Sequence, residues 1–448
     1  MMTRSKMKTE RKRERKTKLD EESAESADRK RINDEGSSNT TQHKARSLAL
    51  NPLLHRYLQI GTLLPGIPDD VTTQVLSPIL PWNAFHTLSS ISSAWQKSIQ
   101  SGDLFEARVR FNSTDKLAVM NYCLQEGKTY GIAMYSFGDK AFYPLPPIPG
   151  INSGIPQGCE CITLDGKIYI LGGFSWYPPP SQNITTRHGS TSDVYMLDLA
   201  RQRPWRKCAS MQASRWRFGC GIISGKIYVC GGSSHLAPVN VTEVYDPKED
   251  AWTELEPMPV WESGHKFGVV EDQLLVFGEA SPQGVFWRPV SEDCVQTYNP
   301  ISDEWRRLPP GTGSDEFGNF FAAKGKLHSI TPSQIFVYDF ETNSKTLLHS
   351  VSQKNDGRGP DIYLFAPIAI LAIDDELLAI QFAKDCRLSE HTRAMLSARY
   401  SGLQSGYSRV VVRSRGFGFE GKEIVWERVE CSLDLKHVWS RFIHPLQL

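Results

Sequence analysis

Short runs of apolar and β-favouring residues follow polar-glycine turns along most of the chain. Asp165-Gly166 leads into Lys167-Ile168-Tyr169-Ile170-Leu171, and Ser224-Gly225 leads into Lys226-Ile227-Tyr228-Val229-Cys230. Each run reads as a strand ended by a glycine pair, Gly172-Gly173 or Gly231-Gly232, where side chains would collide or φ must turn positive. The turn-and-strand unit recurs at Gln273, Lys326 and Glu376, with the glycine pair decaying toward the C-terminus. A second mark trails each unit: Leu197-Asp198 then Trp205, Tyr245-Asp246 then Trp252, Tyr298-Asn299 then Trp305. A period of about fifty residues predicts β-propeller blades of four strands each. Trp205, Trp252 and Trp305 then fall on outer strands, where an indole packs blade on blade. Strand-like runs at 118–123, 131–137 and 141–145 predict an atypical first blade, with Phe142 where later blades carry Trp. The total is six blades, with the segment 423–448 pairing onto the first blade so that no strand edge is left open.

Residues 64–108 change character. Pro68-Asp69-Asp70 is a helix-start signal, and helices are predicted over 71–79, 83–92 and 94–101. Val71, Val75, Leu76 and Ile79 share one stripe; Phe85, Leu88 and Ile91 with Trp95 lie on others. A three-helix unit of this size buries little, so part of its apolar surface is expected to await a partner.

Strands that alternate in direction from the axis outward place the b-to-c and d-to-a connections on one face. That face is expected to gather Phe174, Trp176, Tyr177, Arg187, His188, Arg215, Trp216, Arg217, Trp261, His265, Phe286, Trp287 and Arg288. Loop aromatics mixed with arginine are the anchor chemistry of protein interfaces, and Arg215-Trp216-Arg217 with Trp287-Arg288 are the leading candidates.

Charge changes the picture only locally. The net charge is +1, which gives no global case for nucleic acid or membrane. Residues 1–46 hold almost no large apolar side chains, and a disordered tail is expected there. Its basic block from Arg4 to Lys18 reads as a nuclear import signal or a solvated tail. Nine cysteines without metal-ligand spacing read as reduced, packed thiols. Asn-x-Ser/Thr sequons at Asn39, Asn112, Asn183 and Asn240 follow no signal peptide and are read as chance. The apolar run 364–373 is about half the length of a membrane span. The expectation is a soluble intracellular protein, nuclear or cytoplasmic.

Leu64, Pro65, Pro68, Asp69, Asp70, the stretch 76–80, Pro81, Ile91, Trp95 and the closing Leu104-Phe105 resemble the F-box. Together with the repeats downstream, the chain after residue 60 is similar to the F-box/kelch-repeat proteins, an arrangement expanded in plants. Ser93, Ala94 and Gln96 stand where the family has Cys-Lys before the Trp and Arg after it. With the charged tail taken as disordered over 1–60, the resemblance implies an F-box domain over 61–108 and a kelch propeller over 109–448. It also implies a non-catalytic substrate receptor of an SCF-type cullin-RING ubiquitin ligase, with no cofactor and no metal. Leu64, Pro65, Pro68, Asp69, Val71, Val75, Leu76, Leu80, Pro81, Leu88, Ile91 and Trp95 would meet a Skp-type adaptor, and the loop face would meet a target protein.

Two alternatives stand beside it: a kelch scaffold without ligase assembly, and a metal-dependent kelch-fold enzyme. The iron signature ExxxDxxxH of kelch-fold specifier proteins, HExxH, GxSxG and a phosphate loop are all absent from the sequence. His188 and His265 would be metal ligands only if the propeller brought them together; loop histidines are more often solvated.

Overall fold

The computed structural model describes residues 62–124, 129–151, 154–175, 189–234, 239–259, 262–280, 293–308, 320–331, 334–340, 342–353, 369–384, 407–415, 417, 423–429 and 443–448. The chain divides into two compact units. One runs to Thr72 and includes Ser90–Trp95; the other comprises Thr73–Ser89 and Gln96–Leu448.

Among the described residues four short helices precede the strands: α1 Asp69–Leu76, α2 Ala84–Ile91, α3 Ser93–Ser101 and α4 Asp103–Arg110. Pro68 opens α1, its carbonyl accepting from Thr72 N at 2.9 Å, and Asp69 and Asp70 complement the helix dipole in the first turn. The fourth helix departs from the three expected. Its acidic first turn (Asp103, Glu106) and basic last turn (Arg108, Arg110) favour it, and its Leu104, Phe105, Ala107 and Arg108 are buried.

The rest is mainly β. Strands β1 Lys116–Leu124, β2 Thr129–Ser136 and β3 Ala141–Pro144 form a meander. Next come β4 Glu160–Leu164, β5 Lys167–Leu171, the two-residue β6 Phe174–Ser175 and β7 Gly189–Ser190, β8 Val194–Asp198 and β9 Arg203–Cys208. Then follow β10 Gly219–Ile223, β11 Lys226–Cys230, β12 Thr242–Asp246, β13 Ala251–Leu255, β14 Glu262–Val270, β15 Gln273–Ala280, β16 Asp293–Asn299 and β17 Glu304–Arg307. The last are β18 Phe320–Ala323, β19 Lys326–Ile330, β20 Gln334–Asp339, β21 Ser344–Gln353, β22 Ala369–Ile373, β23 Glu376–Lys384, β24 Tyr407–Arg415, β25 Ile424–Arg428 and β26 Ile443–Gln447.

Among the described residues the blade-like sheets are β26-β1-β2-β3, β4-β5-β8-β9, β10-β11-β12-β13 and β14-β15-β16-β17, with an eight-stranded sheet β18-β19-β20-β21-β25-β24-β23-β22. Within the eight-stranded sheet, the long β21 meets β25 in parallel at Val351–Gln353. This is a β-propeller, and the turn-and-strand units read from the sequence are its strands β5, β11, β15, β19 and β23. Of the segment 423–448 expected on the first blade, only its last strand goes there: β26 pairs antiparallel with β1 from Lys116↔Gln447 to Met120↔Ile443, while β25 joins β21 and β24 in the eight-stranded sheet. Pro445 is tolerated there because β26 is an edge strand of its sheet.

The core is a series of layers between successive sheets. One layer joins Leu117, Met134, Ile168, Trp205, Leu446 and Leu448; the next joins Tyr169, Met211, Phe218, Val229 and Tyr245. The glycine pairs sit where layers crowd. Gly172 and Gly173 have φ of 58° and 101°, and a Cβ on them would stand 2.6 Å from Arg215 O and from Pro156 Cβ respectively. Gly231 and Gly232 repeat the positive φ at 66° and 91°.

Candidate functional site

The outer-strand tryptophans are structural clasps. Trp252 on β13 donates Nε1–H to Ala209 O at 2.9 Å, while Asp250 Oδ1 accepts from Ala209 N at 3.0 Å and from Tyr245 OH at 2.6 Å. One sheet farther on, Trp305 donates to Glu256 O at 3.0 Å, Asp303 accepts from Glu256 N at 3.1 Å, and Tyr298 OH reaches Asp303 at 2.6 Å. Trp205 donates to Pro146 O at 2.8 Å. Pro146 has no N–H to satisfy, and the places of the Tyr and Asp are taken there by Leu197 and Gln202. Each of these three sheets thus grips the backbone leaving the previous one.

On the loop side, Trp216 and Arg217, two of the leading candidates, stand beside Phe174. Trp216 exchanges two 3.0 Å backbone hydrogen bonds with Ser233, and its ring stands 5.5 Å from that of Phe174. Phe174 pairs through its backbone with Gln157. Arg217, exposed and at φ 51°, lays its guanidinium 4.8 Å over the Trp216 ring and donates its N–H to Gly158 O at 2.8 Å. The result is a half-buried indole between a phenyl ring and an arginine.

Arg215 belongs elsewhere. Both it and Glu243 are fully buried; the guanidinium pairs with the Glu243 carboxylate and donates to Gly231 O at 3.1 Å and Val241 O at 2.9 Å. Glu243 also accepts from Gln212 N at 2.6 Å and Ala213 N at 3.2 Å. Burial lowers the Arg215 pKa, with Glu243 opposing the shift. Arg215 therefore shapes the loop that carries Trp216, and its assignment to the partner-facing surface is corrected. Glu243 escaped the sequence reading because its only signal is a carboxylate one residue before an apolar Val-Tyr pair.

His265 is also moved, from a loop into strand β14, at the one-residue register shift between Ser263 and Lys266. Trp176, Tyr177, Arg187, His188, Trp261, Phe286, Trp287 and Arg288 lie outside the described residues. Among the described residues, no group of three or more His, Cys, Asp or Glu is placed to hold a metal, and no helix is long and apolar enough to cross a membrane.

The helical candidates divide as well. Val71, Val75, Ile79 and Ile91 are 43%, 60%, 70% and 47% exposed. Pro65, Pro68, Asp69 and Pro81 are exposed, and Leu64, Leu76, Leu80 and Leu88 are half-buried. Asp69 is engaged locally, accepting from Leu63 N at 2.7 Å. Trp95 is only 5% exposed, and its backbone N–H donates to Ser92 Oγ at 3.3 Å; an interior ring cannot meet a partner, so it is a packing residue.

Within the larger unit, α4 seats on the turns opposite the loop face. Phe105 packs where Gly166 leaves room; a Cβ there would lie 3.1 Å from its ring. Arg201 donates to Ser101 O at 3.3 Å and Arg203 to Gln100 O at 3.0 Å, capping the carbonyls that end α3.

A Kelch motif model matches residues 157–212 and 215–259, one stretch for each of two successive sheets. An F-box/kelch-repeat protein of Arabidopsis thaliana is 28% identical over 257 residues, covering 54% of this chain and 63% of the relative. The F-box/kelch-repeat protein SKIP30 of the same plant is 28% identical over 204 residues, 45% of this chain and 56% of the relative. The chain thus spans less than two thirds of the length of either relative. A solved structure titled "Structure of YjhT" aligns with a TM-score of 0.39 at 17% identity, covering 60% of this chain and 84% of that one. With kelch motifs matched in two adjoining sheets and these relatives beside them, the chain carries kelch repeats and is similar to the plant F-box/kelch-repeat proteins.

Proposed function

We propose that this protein is the substrate-recognition subunit of an SCF-type ubiquitin ligase. The helical residues hold a Skp-type adaptor and, through it, the cullin-RING machinery. The loop face around Phe174, Trp216 and Arg217 holds the target protein. Chemistry occurs elsewhere in the assembly, and the chain itself contributes placement, which raises the effective concentration of target lysines. The basic N-terminal block suits a nuclear as well as a cytosolic pool.

The propeller in this reading has six blades, the eight-stranded sheet counting as two. Support comes from its inner strands: β26, β4, β10, β14, β18 and β22 touch in turn, and β22 touches β26.

The observation that carries the receptor reading is the exposure of Val75 and Ile79, at 60% and 70%. Aliphatic side chains so exposed beside a well-filled core are the kind of surface a partner covers. Names of the plant relatives point the same way.

The test is retention of a Skp-type adaptor by the intact chain, compared with Val75→Asp/Ile79→Asp. Adaptor retained by the wild type and lost by the pair, with an unchanged melting temperature, supports the reading. A wild-type chain that retains no adaptor leaves the second reading, a scaffold without ligase assembly. Trp216→Ala/Arg217→Ala addresses the other half: adaptor retention persists while co-purification of the target protein is lost.

A further inference from the structure

Arg108 is 2% exposed, yet all three guanidinium nitrogens have acceptors. Nε donates to Leu448 O at 3.1 Å and Nη1 to Ser77 O at 3.3 Å. Nη2 donates to Ser113 O at 2.6 Å and to Asp115 Oδ2 at 2.8 Å. The guanidinium carbon lies 5.8 Å from the centre of the Phe85 ring. Asp115 extends the network, its carboxylate accepting from Trp82 N at 2.8 Å and its N–H donating to Leu448 O at 2.8 Å. The residue after α1, the entry to α2, α4 itself, the lead into β1 and the residue after β26 all meet at one ion pair.

A well-packed apolar group would stabilise such a site at least as well, because desolvating a charge offsets much of what pairing returns. What an apolar group lacks is direction. A planar fork fixes the bearing of each acceptor, which a flexible ammonium does not.

We infer that Arg108, braced by Asp115, is a positioning residue: it fixes the angle between the helical residues Thr73–Ser89 and the closed seam of the propeller, and so sets where a captured protein stands relative to the recruited ubiquitin-transfer enzyme. The second half rests on the receptor reading; the first does not.

The test uses the full chain with Arg108→Gln/Asp115→Asn, which leaves neither charge buried alone. Genetically encoded spin labels at the exposed His86 and Ser224 report the angle as a distance distribution. A single narrow distribution is expected for the wild type and one about twice as wide for the double variant, with Arg108→Lys between them. In a ligase reconstituted with a Skp-type adaptor, ubiquitin transfer to the chain's own lysines should slow about fivefold at saturating adaptor and spread over more lysines. Adaptor affinity should hold, and transfer is measured well below the melting temperature of each variant, which separates placement from binding and folding. An unchanged distribution overturns the inference, as does a widened one with unchanged transfer. If the wild type binds no adaptor, the receptor reading falls, and the label distances still decide whether Arg108 fixes the angle.

Discussion

Arg215 and Arg217 stand two positions apart and have opposite fates. Arg215 points inward to Glu243, both at zero exposure, while Arg217 lies over an indole at the surface. Removing Arg215 alone strands a buried carboxylate, so Arg215→Ala should cost about 3–5 kcal/mol in urea unfolding. Arg217→Ala, on the surface, should change stability by less than about 0.5 kcal/mol. The Arg-Trp-Arg run stood out in the sequence as a candidate surface, but which arginine faced out was not legible, since that depends on Glu243 arriving from a strand 28 residues away.

A second residue-scale consequence concerns acid. His328 is 3% exposed, stacked on Phe321 at 5.2 Å, and neighbours His349 and the lysines Lys324 and Lys326; burial lowers its pKa to about 4. The unfolded chain takes up a proton near pH 6.5 that the folded chain refuses. Stability contributed by the neutral ring is therefore whole above about pH 6.5 and falls toward pH 4, by about 3 kcal/mol in all. His328→Phe keeps the stacking and should flatten that part of the curve, as measured by urea unfolding at pH 7, 5.5 and 4.5.

At the scale of elements, Asp250 and Asp303 turn an ordinary c-to-d turn into a clasp. Both sit at positive φ, 51° and 55°, a conformation that aspartate tolerates better than most side chains. Asp250→Ala forfeits bonds from Tyr245, Ala209 and Arg206 and should cost about 2 kcal/mol. Gln202→Ala, at the matching turn, should cost less than about 0.5 kcal/mol in the same titration. The tryptophans were legible as blade packing because their spacing repeats. The aspartates were not, since nothing local marks an acid whose acceptor role is completed by another sheet. The fourth helix was missed for a related reason: its burial pattern, with Arg108 among the buried residues, defeats a reading that sorts residues by polarity.

For the whole molecule, closure decides cooperativity. Leu446 and Leu448, both 2% exposed, belong to the layer that also takes in Phe105 of α4. Deleting residues 443–448 removes the β26 ladder, two core leucines and an acceptor of Arg108 together. Its effect should exceed that of any single core truncation, more than about 5 kcal/mol by urea unfolding, and hydrogen exchange should quicken in β1 and α4 before β10–β13. The repeating strand unit was legible from its period, and the first blade as closing partner from the hazard of open edges. The seat of the helices was not, because it depends on a glycine at 166 and on arginines 201 and 203 that resemble ordinary turn residues.

Each tryptophan clasp reaches backward, from a later sheet to carbonyls already laid down before it. As the nascent chain leaves the ribosome, every clasped blade therefore meets a ready-made neighbour. The stitch between β26 and β1 must wait until nearly the whole propeller has been synthesised, which makes it the step at which a quality-control chaperone would find the protein still unsealed.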